Sequence, residues 1–442
     1  MAEHLYERPL APPAWLVLLL LSLAGAGGWA VSLRATEGLS TTNLTGHVVW
    51  GLWVACYIYF IGLSAGSFLL STLIFVFRVH AFEKVGRLAI FSALALFGTG
   101  LGLILLDLGH MERFVTVYTH RSWTSVLSWE IHLYAVYLLL LLAELYLLLR
   151  IDLVELRDNP RTPFHFVYRL LALGSIDTSE KSRRRDQRIV TALGLLGIPV
   201  ALGVHGGTGA IFAVAKARPY WFTGLFPIVF IVSALASGAG LLTVLFALTG
   251  DRRDRDYAPI VLALGRMAAG ALAFDLLLLS SELLVDLYSG IPERIQVHTA
   301  IMAGPYAWLF WGQVGVGGIL PIALVASPAT RGRPSIVAAA AACIFLGIFG
   351  VRLNLVVPSQ TVPMLPGLHE AFLDQRASAF YFPSWIEVLS TVGVLAINAS
   401  LYVAGFCLLP LYDRHLANLD EALVAGRVRF RVSRSPQRDR SS

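Results

Sequence analysis

Long apolar runs alternate with short polar segments along the whole chain. Ten such runs fall at about residues 14–33, 51–77, 87–106, 130–149, 189–213, 223–249, 258–284, 300–325, 335–357 and 385–409. Each is long enough to cross about 30 Å of hydrocarbon, which takes roughly 20 helical residues. With no water there, every backbone N–H and C=O must be satisfied inside its own segment, so runs this continuous predict helices and not barrel strands. The expected fold is an all-α integral membrane protein with about ten transmembrane helices in a single membrane domain, 1–442. Glu3 and Glu7 precede the apolar Trp15 to Leu23 stretch and Trp29 to Leu33 prolongs it, so the first run predicts an uncleaved helix and not a secretory signal.

An internal similarity organises the middle of the chain. Leu63-Ser64-Ala65-Gly66-Ser67-Phe68-Leu69-Leu70-Ser71 in the second run resembles Leu235-Ala236-Ser237-Gly238-Ala239-Gly240-Leu241-Leu242-Thr243 in the sixth. Small residues at these positions allow close helix contact. Four spans separate the copies, so they run in the same direction. The expectation is a parallel repeat of two four-helix bundles, helices 2–5 (residues 45–213) and 6–9 (222–357), flanked by helices 1 and 10.

Composition agrees with a lipid-embedded chain, with 57% apolar and 14% charged residues among 442. Of the 34 Lys and Arg, only Arg34, Arg113, Arg121, Lys216, Arg218, Arg294, Arg352 and Arg376 fall on the side opposite the termini. The positive-inside rule therefore predicts that both termini are cytoplasmic. The net charge of +6 reports this topology. The basic segment 410–442 reads as a disordered cytoplasmic tail near anionic lipid headgroups, not as a nucleic-acid arm. Cys56, Cys343 and Cys407 lie in three separate runs with no C-x-x-C spacing, so no iron–sulfur cluster or structural zinc is expected in this chain.

A charge near mid-bilayer costs roughly 2.5–3.5 kcal/mol even on the insertion scale, so Asp107, His110, Glu130, His132, His205, Glu282 and Arg352 stand out. The third run ends in Leu106-Asp107-Leu108-Gly109-His110; one more helical turn would put Asp107, His110 and Arg113 on one face. The fourth run returns with Trp129, Glu130 and His132, and the fifth carries His205 within Val204-His205-Gly206-Gly207-Thr208-Gly209. A quinone takes up two electrons and two protons. Its site therefore needs a hydrogen-bonding group at each carbonyl, groups that exchange protons near neutral pH, and an apolar groove. These residues meet that description. They also allow the plainer reading of a capped helix end with an interfacial aromatic belt. Glu144, Asp275 and Glu282 are candidates for carrying protons deeper. Two other classes compete. One is a haem b anchor ligated by His132 and His205. The other is a secondary transporter with helices interrupted at Gly197, Pro199 and Gly206 to Gly209, and again at Gly315 to Gly318 and Pro321.

Trp53, Tyr57 and Gly62-Leu63-Ser64-Ala65-Gly66, then Leu106-Asp107-Leu108-Gly109, Trp129 and the His205 segment, resemble in order the motifs of the NrfD/PsrC family of polysulfide reductase-type membrane subunits. Arg352-Leu353-Asn354-Leu355-Val356-Val357-Pro358 and Tyr381-Phe382-Pro383-Ser384-Trp385-Ile386-Glu387 resemble its ten-helix branch. That branch includes membrane subunits of sulfite-reduction-associated complexes, periplasmic hydrogenases and alternative complex III. The likeness covers about residues 45–410. It implies a haem-free subunit reacting with a quinone (menaquinone or ubiquinone) in a bacterial or archaeal cytoplasmic membrane. It also implies a ferredoxin-like iron–sulfur partner that passes electrons to or from a catalytic subunit, such as a molybdopterin enzyme or hydrogenase, or a multihaem cytochrome. By the same resemblance Asp107, His110 and His205 line the headgroup site and Arg352 adds a polar contact; His110 stands where many relatives carry Arg. The loop 353–384, rich in Pro, Tyr and Phe, has the aromatic content of a docking surface.

Overall fold

The computed structural model describes residues 12–159, 164–363, 367 and 378–412. The basic tail from 413 on, Pro160 and Pro163, and much of the 353–384 loop lie outside the described residues. Among those described, the structure is helical without strands, and ten helices are long and apolar enough to cross a membrane. We number them α1 (Ala14–Glu37), α2 (Leu52–Phe75), α3 (Glu83–Asp107), α4 (Val126–Asp158), α5 (Glu180–Ala213), α6 (Phe226–Thr249), α7 (Tyr257–Tyr288), α8 (Ala307–Ala326), α9 (Pro334–Val356) and α10 (Trp385–Leu408).

Several bounds differ from those read off hydropathy. Helices α4 and α5 extend well past their apolar cores at one shared end, where Arg150 of α4 donates to Asp186 and Ser182 of α5; both helix starts are capped. Ser125 and Ser179 accept from the N–H groups of Ser128 and Ser182. The eighth span begins at Ala307, not at 300, because the helix Pro292–Ala303 ends at Gly304 and a new one starts. The expected interruption of the fifth span is also corrected: α5 is continuous through Pro199 and Gly206 to Gly209. Within α8, by contrast, Gly315–Ile319 forms a π-helical turn.

Helix α2 is the most enclosed of the ten, packed against α3, α5, α6 and α9, whereas α1 is largely exposed and pairs with α10. Glycine makes these close pairings possible. A Cβ on Gly66 of α2 would overlap the Ala234 carbonyl of α6, and one on Gly238 would lie 2.6 Å from the Gly66 carbonyl carbon. These are the two glycines that align in the sequence similarity. Gly27 and Gly393 bring α1 against α10 in the same way, and Gly317 and Gly347 bring α8 against α9.

Candidate functional site

One end of the bundle gathers the C-termini of α1, α3, α5, α7 and α9 and the N-termini of the others. At its edge, α3 stops at Asp107 and Leu108 is extended. Arg34, from α1 and only 1% exposed, donates to the carbonyls of Leu106 (3.0 Å) and Leu108 (2.6 Å). It thus satisfies the orphan acceptors of that helix end. The Asp107 carboxylate sits within the electrostatic reach of Arg34 and Glu387. Glu387 is buried and closes the start of α10 in a capping box with Ser384. It also accepts from Tyr381 Oη (2.5 Å) and Asn43 N (3.1 Å).

The further helical turn that would have put Asp107, His110 and Arg113 on one face does not form. His110 is exposed, with Nδ1 3.0 Å from the Glu112 carboxylate. A chain with Gly109 following an extended Leu108 leaves the helix there.

Glu130 lies inside α4, 1% exposed. Its Oε1 accepts from Tyr134 Oη at 2.8 Å and from the Thr208 hydroxyl of α5. Because the Tyr134 proton is committed to Glu130, Tyr57 of α2 donates to Tyr134 across 2.5 Å. Glu130 Oε2 has no partner. His132, two residues on, points to another face, as the helical period requires. Its Nδ1 lies 2.7 Å from the Ser128 carbonyl, and its ring lies against Tyr118 and Trp123.

His205 is 1% exposed on α5, one turn before Thr208. Arg352 of α9, also buried, places Nη2 3.3 Å from His205 Nε2 and donates to the Ser233 hydroxyl of α6. Since guanidinium only donates, Nε2 is the acceptor, and in a neutral ring Nδ1 carries the proton. That Nδ1 is left without a well-formed hydrogen bond, as are Arg352 Nε and Nη1. The Arg352 guanidinium carbon lies 3.9 Å from the Phe230 ring centroid, and Asp275 of α7 lies within its field. Two buried polar clusters thus lie three residues apart on α5: Glu130 with Tyr134 and Thr208, and His205 with Arg352 and Ser233. The His132 ring packs on Tyr118 and Trp123, whereas the His205 ring packs on Phe230 and Arg352.

Beside Arg352 lies a cavity of about 370 Å³ between α6, α7, α8 and α9, largely apolar, with Tyr220, Ser280, Glu282, His298, Gln313 and Asn354 among its other polar lining. Asn354 Nδ2 donates to Gln313 Oε1 (2.7 Å). Glu282 neighbours Asp286, which binds Arg294 (2.5 Å) and His298 (2.9 Å). Glu144 and Asp275 are fully buried with both carboxylate oxygens unpartnered.

Sequence reasoning did not single out Tyr134, Thr208 and Ser233 as site residues, because hydroxyls are common in membrane helices. It also missed Asp286 and His298. Asp286 was findable, one turn from Glu282 on the same face of α7.

Ten packed apolar helices that enclose several ionisable side chains define a multi-pass integral membrane protein. The family profile described as polysulphide reductase, NrfD, matches residues 40–364, and the chain belongs to that family. It is 38% identical to a selenate reductase subunit of Mesobacillus selenatarsenatis, over 90% of this chain and 94% of that one. It is 28% identical to the Hdr-like menaquinol oxidoreductase integral membrane subunit of Archaeoglobus fulgidus (89% and 93% covered). Identity to the integral membrane subunit of menaquinone reductase from Nitratidesulfovibrio vulgaris is 22% (88% and 90% covered).

Proposed function

We propose that this chain is the quinone- or quinol-reactive membrane subunit of a multisubunit oxidoreductase, exchanging electrons between the quinone pool and an iron–sulfur partner. The observation that carries the reading is the buried His205–Arg352 pair, with unfilled donors on both residues, of which Arg352 lines a cavity of about 370 Å³. That volume is within the roughly 300–1,000 Å³ of ordinary ligand pockets. Relatives named as menaquinol and menaquinone oxidoreductase subunits favour menaquinone as the substrate.

Reduction of a quinone consumes two electrons from the partner and two protons, one at each carbonyl oxygen; oxidation of the quinol reverses this. In this reading Arg352 and His205 Nδ1 donate hydrogen bonds to carbonyl oxygen. Glu130, with a free Oε2 and two hydroxyl donors steadying Oε1, exchanges the proton. Asp107 and His110 form the polar rim toward water, with His132 beside it. Glu144, Asp275 and Glu282 are the groups through which protons would move deeper. Phe380 and Phe382, exposed in a non-helical segment at the same end, suit a docking partner. The Lys and Arg asymmetry supports cytoplasmic termini, which puts this end at the outer face. The contact of Gly66 with Gly238 supports treating α2–α5 and α6–α9 as two parallel four-helix units.

The test is quinol- or quinone-linked turnover of the purified complex with His205→Ala. We expect turnover to be lost while the subunits still co-purify. Turnover equal to that of the unaltered complex overturns the assignment.

A further inference from the structure

At the opposite end of the bundle, α2–α5 enclose a second cavity, about 710 Å³, unrelated to the site above. Its floor includes Leu147 and Leu148 and its rim carries Arg78, Arg183, Arg184 and Arg188. Two of the acidic groups at its wall are already engaged: Asp152 by Arg87, and Asp186 by Arg150 at 2.5 Å. Among the described residues, Arg78, Arg184 and Arg188 have no ion pair. Arg183 reaches only Glu180, at 3.8 Å, and its buried Nε has no hydrogen-bond partner.

Depth fixes what such a site can hold. Helix α5 has 34 residues, about 51 Å at 1.5 Å per residue, against about 30 Å of hydrocarbon. Its first turns, which precede the apolar run, therefore stand in the headgroup layer, and the floor below them lies in the acyl region. A soluble anion would leave that floor facing water, and a neutral lipid would leave the arginines without a counter-charge. We propose that this cavity seats an anionic phospholipid, its phosphate held by Arg184, Arg188 and Arg78 and its proximal acyl chain on Leu147 and Leu148. The Lys and Arg asymmetry assigns this end to the cytoplasmic leaflet, where anionic lipid is available.

The full-length protein, purified in detergent and exchanged into nanodiscs of phosphatidylcholine with or without phosphatidylglycerol, would be washed and its retained lipid measured by native mass spectrometry. We expect selective retention of phosphatidylglycerol. Each arginine near a charged surface contributes about fivefold in affinity, so Arg184→Gln with Arg188→Gln should weaken retention roughly 25-fold, and the double Lys variant should restore part of it. A thermal unfolding midpoint equal to that of the unaltered protein would show that the Gln variant is folded. Equal retention of phosphatidylcholine, or unchanged selectivity in the Gln variant, overturns the proposal. So does displacement of the lipid by millimolar inorganic phosphate, which would make this a soluble-anion site.

Discussion

His205 Nε2 of α5 and Arg352 Nη2 of α9 lie 3.3 Å apart in the interior, joining these two helices through one buried hydrogen bond. Arg352 is also held by the Ser233 hydroxyl and the Phe230 ring, so it is the better anchored of the two and orients the imidazole. Arg352→Lys keeps the charge but loses the planar fork that reaches Ser233 and His205 together. Quinone-linked turnover should fall about 100-fold in Arg352→Lys and in His205→Ala. The double variant should be little worse than either single one, because both act on one ring. Additive losses in a double-mutant cycle would separate the two residues.

Gly62 sets the position of that imidazole. A methyl at residue 62 would lie 2.8 Å from His205 Cε1 and 2.9 Å from Nε2, inside the roughly 3.5–4.0 Å of comfortable carbon contacts. Gly62→Ala should lower turnover with the complex still assembled. Gly66→Ala meets backbone that cannot yield, so it should cost about 1–3 kcal/mol and reduce the folded protein recovered from membranes. Gly25→Ala, with nothing within 4 Å, is the silent control.

Glu130 separates hydrogen bonding from proton exchange. In Glu130→Gln the amide oxygen still accepts from Tyr134 and Thr208, but the group no longer gains or loses a proton. Assembly should be normal and turnover should fall by about 100-fold. Glu130→Ala removes the acceptor as well and leaves two buried hydroxyls unsatisfied, costing about 1–3 kcal/mol for each. Comparing thermal stability with turnover in the two variants distinguishes these effects.

Asp254, in the segment between α6 and α7, lies 2.6 Å from Lys84 Nζ. Partial burial by itself raises its carboxyl pKa, but the Lys84 ammonium and the Asp256 N–H outweigh that and hold it below the ordinary value. A carboxyl depressed in the folded state stabilises above its unfolded pKa and loses that contribution as pH falls through the folded value. Asp254→Asn should therefore cost up to about 1 kcal/mol at pH 7, since the pair is partly exposed, and almost nothing at a pH well below the lowered folded value. Denaturation midpoints at the two pH values would check this.

The fold class and the number of spans were legible in the chain because the hydrocarbon core imposes one rule on every segment: length and apolarity with an internally satisfied backbone. Gly66 and Gly238 could be paired from local similarity alone, and Glu130, His205 and Arg352 could be singled out because burying each in an apolar run is costly. Their neighbours could not be read. Where α3 ends was not legible, since Arg34, 72 residues before Leu106, takes the carbonyls at that helix end. Adjacency in the chain grouped Glu130 with His132, but the helical period turns them to different faces. The pairing of His205 with Arg352, 147 residues apart, and the cavity beside them arise only when α5, α6 and α9 pack. Sequence by itself thus determined which groups must be buried at a cost, since that cost is local. Tertiary structure decided which of them share a partner, because hydrogen bonds depend on the relative placement of whole helices.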